Sequence, residues 1–398
     1  MLIPKYWAQY KQRFESQATA NRSSKQATIK RYGWSDISQS EALNHARTRV
    51  TEAHNRWLAG EDIVCRERRE EYNASNGIPI REQVITEQTF PSSNLSDSSS
   101  YQTQVITTRN SYGAQVANVD NIAIIDVDND ELLHYNYPDS YDSHGYMTAL
   151  ISNQSQPSSK LKVWFFVLVF IFIASVIAWL GLSWLWLLVV MIGVTAYLWQ
   201  QASQRDKARA QKYADDIASL LPYMTERLQK RVVKHPKERF RLYETPAGFR
   251  IIATHDTIAP SDELVAEWFE YFHADANYVR LCQAQQCFRA RLTAKPWRMA
   301  EVNEQRMLEK SIPAKEFWFA DDGSTQSSYD NAQQAALTAR KQWVADYESF
   351  AKGYRACRYI ESFKGREVGN SEPAPAAISD FIEWHDRVCQ VEKELVMA

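Results

Sequence analysis

Two aspartates, Asp126 and Asp128, stand out as residues able to do chemistry. They close the isoleucine-rich run NIAIIDV, Asn121 to Val127, which reads as a central strand. Side chains alternate along a strand, so residues two apart share a face. Two carboxylates on one face can hold Mg²⁺ or Mn²⁺ through oxygen ligands. Asp120, Asp130, Glu131, Asp139 and Asp142 lie close by, and no Lys or Arg occurs from Asn110 to Ser159 to neutralise them. The plainer alternative is an acidic, solvated strand end, because Asp-x-Asp alone is a weak motif.

Anion recognition has its own candidates. TPAGFRIIATH, Thr245 to His255, reads as strand, tight turn, strand. In it Thr245 and Gly248 bring backbone close to a ligand, Arg250 can grip a phosphate or carboxylate bidentately, and His255 can act as a ligand or an acid/base. A β-hairpin with one exposed arginine explains the same residues. The acid-free stretch Asn277 to Ala300 holds Arg280, Arg289, Arg291, Lys295 and Arg298. Arg289 and Arg291 share a strand face and suit nucleotide phosphates, a nucleic-acid backbone, anionic lipid headgroups or the chain's own acidic segment. Arg227 to Arg241 carries seven cations and one glutamate. Cys282 and Cys287, five apart with no second pair close by, read as buried structural thiols rather than a zinc site. The five cysteines are odd in number and scattered, which suits reduced thiols. There is no phosphate loop, dinucleotide glycine fingerprint, nucleophile elbow or metalloprotease helix.

The elements that must position these groups follow from length and patterning. The 398 residues, 45% hydrophobic and 24% charged with net charge −2, suffice for one large or two medium domains and exclude a wholly disordered or strongly basic protein. Residues 1–90 read as a mainly helical region, with a short strand at Ala27 to Tyr32 and a helix capped by Ser35 or Asp36 and stopped by Gly60. Residues 101–137 form the strand-rich first part of a cytosolic domain, 206–300 its second part, and 328–398 a C-terminal helical region.

Between them no charge occurs from Lys162 to Arg205. A single helix over 163–199 would be ~55 Å long, against a hydrocarbon core of ~30 Å. Folding the run at Gly181 and Ser183 gives two spans of ~17 residues each. Trp164 and Trp199 then mark one membrane interface, and Trp179, Trp184 and Trp186 the other. Basic residues flank both ends, so the positive-inside rule puts both termini in the cytoplasm of a protein of the inner membrane. The expected fold is an α/β or α+β cytosolic domain interrupted by a two-helix transmembrane hairpin, with helical N- and C-terminal segments.

ITTRNSYGA together with IIDVD, YETPAGFR and CFRARLTAKPWR resemble a group of bacterial transmembrane proteins of no assigned activity. They also resemble the catalytic core of primase-polymerases. That core has an acidic strand ending in Asp-x-Asp, a small-residue turn Ser-x-x-Gly-x-His, and a basic strand that holds nucleotide phosphates. The resemblance implies that Asp126 and Asp128 bind metal and that the turn from Thr245 to Arg250 contacts triphosphate. It covers about a third of the chain. It departs where Arg250 stands in place of the histidine, and Asp256 is its nearest candidate for a third acidic ligand.

Two functions follow as expectations. One is a membrane-anchored binding or scaffold module for anionic partners such as anionic lipids or nucleotides. The other is a Mg²⁺- or Mn²⁺-dependent enzyme acting on nucleotides or phosphate esters. The second requires strands 121–127, 248–254 and 287–292 to be neighbours, with Asp126 and Asp128 turned towards the basic residues.

Overall fold

A computed structural model describes residues 1–15, 26–67, 79–91, 102–142, 145–147, 175, 179, 181, 185–303, 312–313, 317, 319–321, 326–367 and 374–398. In chain order the elements are β1 (Tyr6–Glu15), β2 (Gln26–Ser35), α1 (Gln39–Leu58), β3 (Gln83–Phe90), β4 (Thr103–Arg109), β5 (Gln115–Val119), β6 (Ile124–Asp128) and α2 (Asn129–Asn136). Then come α3 (Leu185–Lys234), β7 (Arg239–Thr245), β8 (Gly248–Ala253), α4 (Glu263–Tyr271), α5 (Ala276–Gln285), β9 (Phe288–Arg291) and α6 (Pro296–Asn303). The last are β10 (Phe319–Asp321), α7 (Gln326–Ala351), β11 (Tyr354–Arg355), β12 (Arg358–Lys364), α8 (Ala376–Cys389) and β13 (Val396–Met397). They divide into one unit of Met1–Asp128 with Leu228–Ala398, and a second of Asn129–Arg227.

The expected transmembrane hairpin is overturned. Among the described residues no helix is long and apolar enough to cross a membrane. The apolar residues from Leu185 open a single 50-residue helix, α3, that runs on through Arg205, Lys207 and Arg209 to Lys234. A hydropathy window sees the apolar run but not the helix that continues beyond it. The inner-membrane location and the cytoplasmic termini fall with the hairpin, because the basic flank that oriented it is part of that helix. Trp179 and Trp199 are exposed and Trp186 lies in α3, while Trp164 and Trp184, with most of 163–184, lie outside the described residues. In this second unit, Tyr137 and Tyr141 after α2 bond Ser219 (2.8 Å) and Asp216 (2.6 Å) of α3.

The N-terminal region also differs from its helical reading. β1 and β2 pair antiparallel over ten residues, β10 adds parallel to β1, and α1 packs on them. Trp7, Tyr10 and Phe14 have the three-then-four spacing that a helix face would also show. The strand sends them to opposite sides: Trp7 packs with Tyr32, whereas Tyr10 and Phe14 join Ile29, Val50 and Trp57. Ser38, rather than Ser35 or Asp36, caps α1 by accepting from the Glu41 amide (3.2 Å). At the other end of the chain, within the expected helical region 328–398, Tyr354–Arg355 and Arg358–Lys364 form β11 and β12.

Two four-stranded antiparallel sheets carry the rest of the first unit, in the orders β12-β7-β8-β6 and β3-β4-β5-β9. β8 is buried along its whole length, and Ile122 to Ile125 and Val127 beside it are buried as well. These aliphatic faces place β6 against β8, pairing Asp126 with Arg250 and Asp128 with Gly248. The sheets meet where Arg250 Nη1 of β8 donates to the Arg291 carbonyl of β9 (3.0 Å) and Tyr278 Oη donates to the Ile124 carbonyl (2.6 Å).

Gly248 is required by this approach. A Cβ there would stand 1.9 Å from the Val127 carbonyl oxygen, a backbone atom that cannot yield without parting β6 from β8. Gly248→Ala is expected to lose at least ~1–3 kcal/mol of unfolding free energy, the usual cost of overpacking, in a urea titration. A variant as stable as wild type would show that the two strands do not lie this close.

His255 is a half-buried histidine packed on the core. Its ring meets Phe240 and Trp268 edge to face, its Nδ1 lies against the Arg239 backbone, and burial pushes its pKa below the ordinary value. The unfolded chain therefore takes up this proton more readily than the native one. The stability tied to the neutral ring is complete above the ordinary imidazole range and is lost as pH falls through that range towards the depressed value. His255→Phe is expected to flatten the acid limb of urea midpoint against pH between about pH 7 and about pH 5. An unchanged slope would refute the assignment.

A candidate metal and phosphate cleft

β6 ends with Asp126 and Asp128 facing a cavity of about 580 Å³ that Asp275, Arg289, Arg291 and Lys295 also line. Thr245 and Ala247, from the β7–β8 turn, lie on the same wall system, as do Tyr112 and Trp297, whose rings meet edge to face 4.9 Å apart. β6 and β9 therefore meet at one cleft holding carboxylates and cations, whereas β8, although paired with β6, sends none of its side chains into it.

Asp275 caps α5, accepting from the Asn277 (2.5 Å) and Tyr278 (3.3 Å) amides, while its own amide donates to the Asp126 carbonyl (3.1 Å). The cap thus fixes a third carboxylate beside the pair. Burial, then the charges of Asp126 and Asp275, push the Asp128 carboxyl up to about 7. Like charges in a half-buried cleft resist ionising together, and a divalent cation removes that conflict.

The cations fall into two groups. Arg289 is committed: its Nη2 donates to both Glu82 oxygens (2.8 and 2.9 Å) and its Nη1 to Asn118 Oδ1 (2.8 Å). Arg291 makes no side-chain hydrogen bond or ion pair among the described residues, and its Nε is buried without a partner. Lys295 stands over the Trp297 ring, and burial, followed by the cations Arg291 and Arg298, lowers its pKa to about 8. Arg291 and Lys295 are the groups free to meet an anion.

Arg250 does not line the cleft. It is buried behind Asp126, with Nε 3.8 Å from Asp126 Oδ1 and Nη1 on the Arg291 carbonyl and near His385 Nε2 (3.1 Å). It steadies Asp126 from behind rather than gripping a ligand. Gly248 serves the strand approach described above. Asp256 is exposed, accepts from the Thr257 amide (2.7 Å), and sits past the opposite end of β8 from the cleft. Asp275, Glu82 and the aromatic pair were not singled out by spacing. The one sequence signal for Asp275 is its place before a helix, which marks it as a cap and nothing more.

A larger cavity of about 960 Å³ adjoins β7, β12 and α8. In it Arg241 pairs with Asp386 (2.9 Å) and Arg387 lies 3.8 Å from Glu383, and its lining lacks the facing carboxylate cluster of the first cleft. Comparison with protein-family models, curated proteins and solved structures returns no match to this chain.

Proposed function

We propose that the cleft is the active site of a Mg²⁺- or Mn²⁺-dependent enzyme acting on nucleotides or phosphate esters. The observation that carries this reading is the facing of Asp126, Asp128 and Asp275 by the unpaired Arg291 and Lys295 within one cavity. Asp126 and Asp128 would hold the ion, which supplies a Lewis acid for a phosphoryl oxygen when bound. Arg291 and Lys295 orient the phosphate and offset its charge. Tyr112 and Trp297 give the cleft an aromatic wall suited to a base or sugar.

A module that binds anions without a metal would present three carboxylates to its own ligand, so the enzyme reading is preferred. The placing of Asp126, Asp128 and Thr245 beside a basic strand supports the primase-polymerase resemblance. At Arg250 the reading departs from it, since that side chain backs Asp126.

Calorimetric titration with Mn²⁺, then with ATP in the presence and absence of Mn²⁺, tests the proposal. Saturable Mn²⁺ heat and tighter ATP binding with the metal are expected. ATP binding unaffected by EDTA would favour the anion-binding module instead, and no heat from either ligand would end both.

A further inference from the structure

We propose that Cys357, His385 and Cys389 form a second, separate site, for a thiophilic divalent cation of the zinc class. His385 and Cys389 are one turn apart on α8 and so share a face. Cys357 reaches them because the Ala356 amide donates to the Cys389 carbonyl (3.0 Å), fastening the start of β12 to the end of α8. The three ligand atoms all lie within 4.8 Å of one another, and all three residues are buried.

The spacing fits an ion. Zinc bonds of ~2.3 Å to sulfur and ~2.0–2.1 Å to nitrogen, at a tetrahedral angle, separate the two ligand atoms by ~3.5 Å. Cys389 Sγ and His385 Nε2 stand 3.5 Å apart. That distance is also open to a thiol–imidazole hydrogen bond, so the surroundings must decide. They resemble those of a metal-binding histidine: His385 Nδ1 lies 2.9 Å from Asp386 Oδ1, and Asp386 Oδ2 accepts from Arg241 Nη2 (2.9 Å). A carboxylate held on Nδ1 keeps the proton there and makes Nε2 the lone-pair nitrogen, which here accepts from Arg250 Nη1 (3.1 Å) and would exchange that donor for a metal.

Charge is consistent as well. Arg250 Nη1 is 3.1 Å from Nε2, and a bare dication beside that guanidinium would be opposed. Two thiolates cancel the dication, so the loaded site adds no net charge next to Arg250. Among the described residues no fourth His, Cys, Asp or Glu joins the group, which leaves the fourth corner to a small exogenous ligand such as water. This site uses soft ligands and the cleft uses oxygen ligands, so the two select different ions. Because Arg250 touches both His385 and Asp126, an ion on Nε2 would displace Nη1 from the imidazole and so would act on the residue that backs Asp126.

The test is the metal content of the full chain purified without chelator, followed by replacement with Co²⁺. About one zinc per chain is expected, and the cobalt form should show thiolate-to-cobalt charge transfer with the visible bands of a tetrahedral site. Cys389→Ser and His385→Ala should lose these bands, while Cys65→Ser and Asp128→Asn keep them, which separates this site from the cleft. Should the buried variants fail to fold, the wild-type cobalt spectrum decides by itself. Absence of the charge-transfer band, its persistence in a folded Cys389→Ser variant, or a Cys357–Cys389 disulfide in a non-reduced peptide map would overturn the proposal.

Discussion

The double variant Asp126→Asn, Asp128→Asn is expected to lose Mn²⁺ binding by at least about 100-fold, and with it any Mn²⁺-dependent turnover of a nucleotide or phosphate ester. Loss of partners that merely support metal ligands already costs about 10–100-fold. Removing two ligands from one strand face should cost more. Asparagine keeps the shape and one acceptor oxygen, so β6 should still pair with β8. One structural consequence must be separated from the chemical one. Asp126 faces Arg250 at 3.8 Å, and its neutralisation leaves that buried guanidinium without its nearest carboxylate. Asp128→Asn alone is free of this complication, because Asp128 pairs across the strand with Gly248. The single Asp128 variant should therefore fold like wild type by urea titration and still bind Mn²⁺ poorly. Wild-type Mn²⁺ affinity in a folded Asp128→Asn protein would remove the cleft from consideration as a metal site.

What could be read from the chain was what strands make periodic. Asp126 and Asp128 share a face by alternation, and the aliphatic run before them had to be central. Arg289 and Arg291 shared a face by the same rule, but the rule could not say that Glu82 claims the first and leaves the second free. That distinction depends on a chain crossing far away in sequence. Asp275 was hidden for a similar reason: a helix cap looks structural until the fold brings its carboxylate to the cleft. Cys357 and Cys389 looked scattered because only the β12–α8 junction brings them together. In the apolar run, composition was read as a membrane solvent, whereas the backbone continues the same helix into charged residues. At the N-terminus, the segment expected to be helical is a strand because of its ten-residue pairing with β2, which local sequence does not specify.

Removing the Glu82 carboxylate is expected to have the largest effect on stability. Glu82 and Arg289 are both largely buried, and Glu82 also accepts from Thr108 Oγ1 (2.5 Å). Burying an ion pair is costly, and breaking one from a single side is costlier, since the remaining charge, here left with Asn118 alone, has no carboxylate to offset its lost hydration. Glu82→Ala should therefore lose ~3–5 kcal/mol of unfolding free energy. Glu82→Ala with Arg289→Met removes the stranded charge and should recover more than half of that loss. It should not recover all, because Asn118 Oδ1 loses its donor, an orphaned acceptor worth ~1–3 kcal/mol. The same double variant bears on the cleft. If Arg291 and Lys295 are the cations that meet phosphate, it should keep Mn²⁺ affinity and most of the metal-dependent ATP affinity, whereas Arg291→Ala should reduce the latter about 10-fold or more, the range for losing a charge-assisted bond. Urea titrations and ATP calorimetry on the three variants decide the matter. Equal stability of Glu82→Ala and wild type would dissolve the ion-pair argument, and ATP binding that fell with Arg289 but not with Arg291 would reverse the assignment of the two arginines.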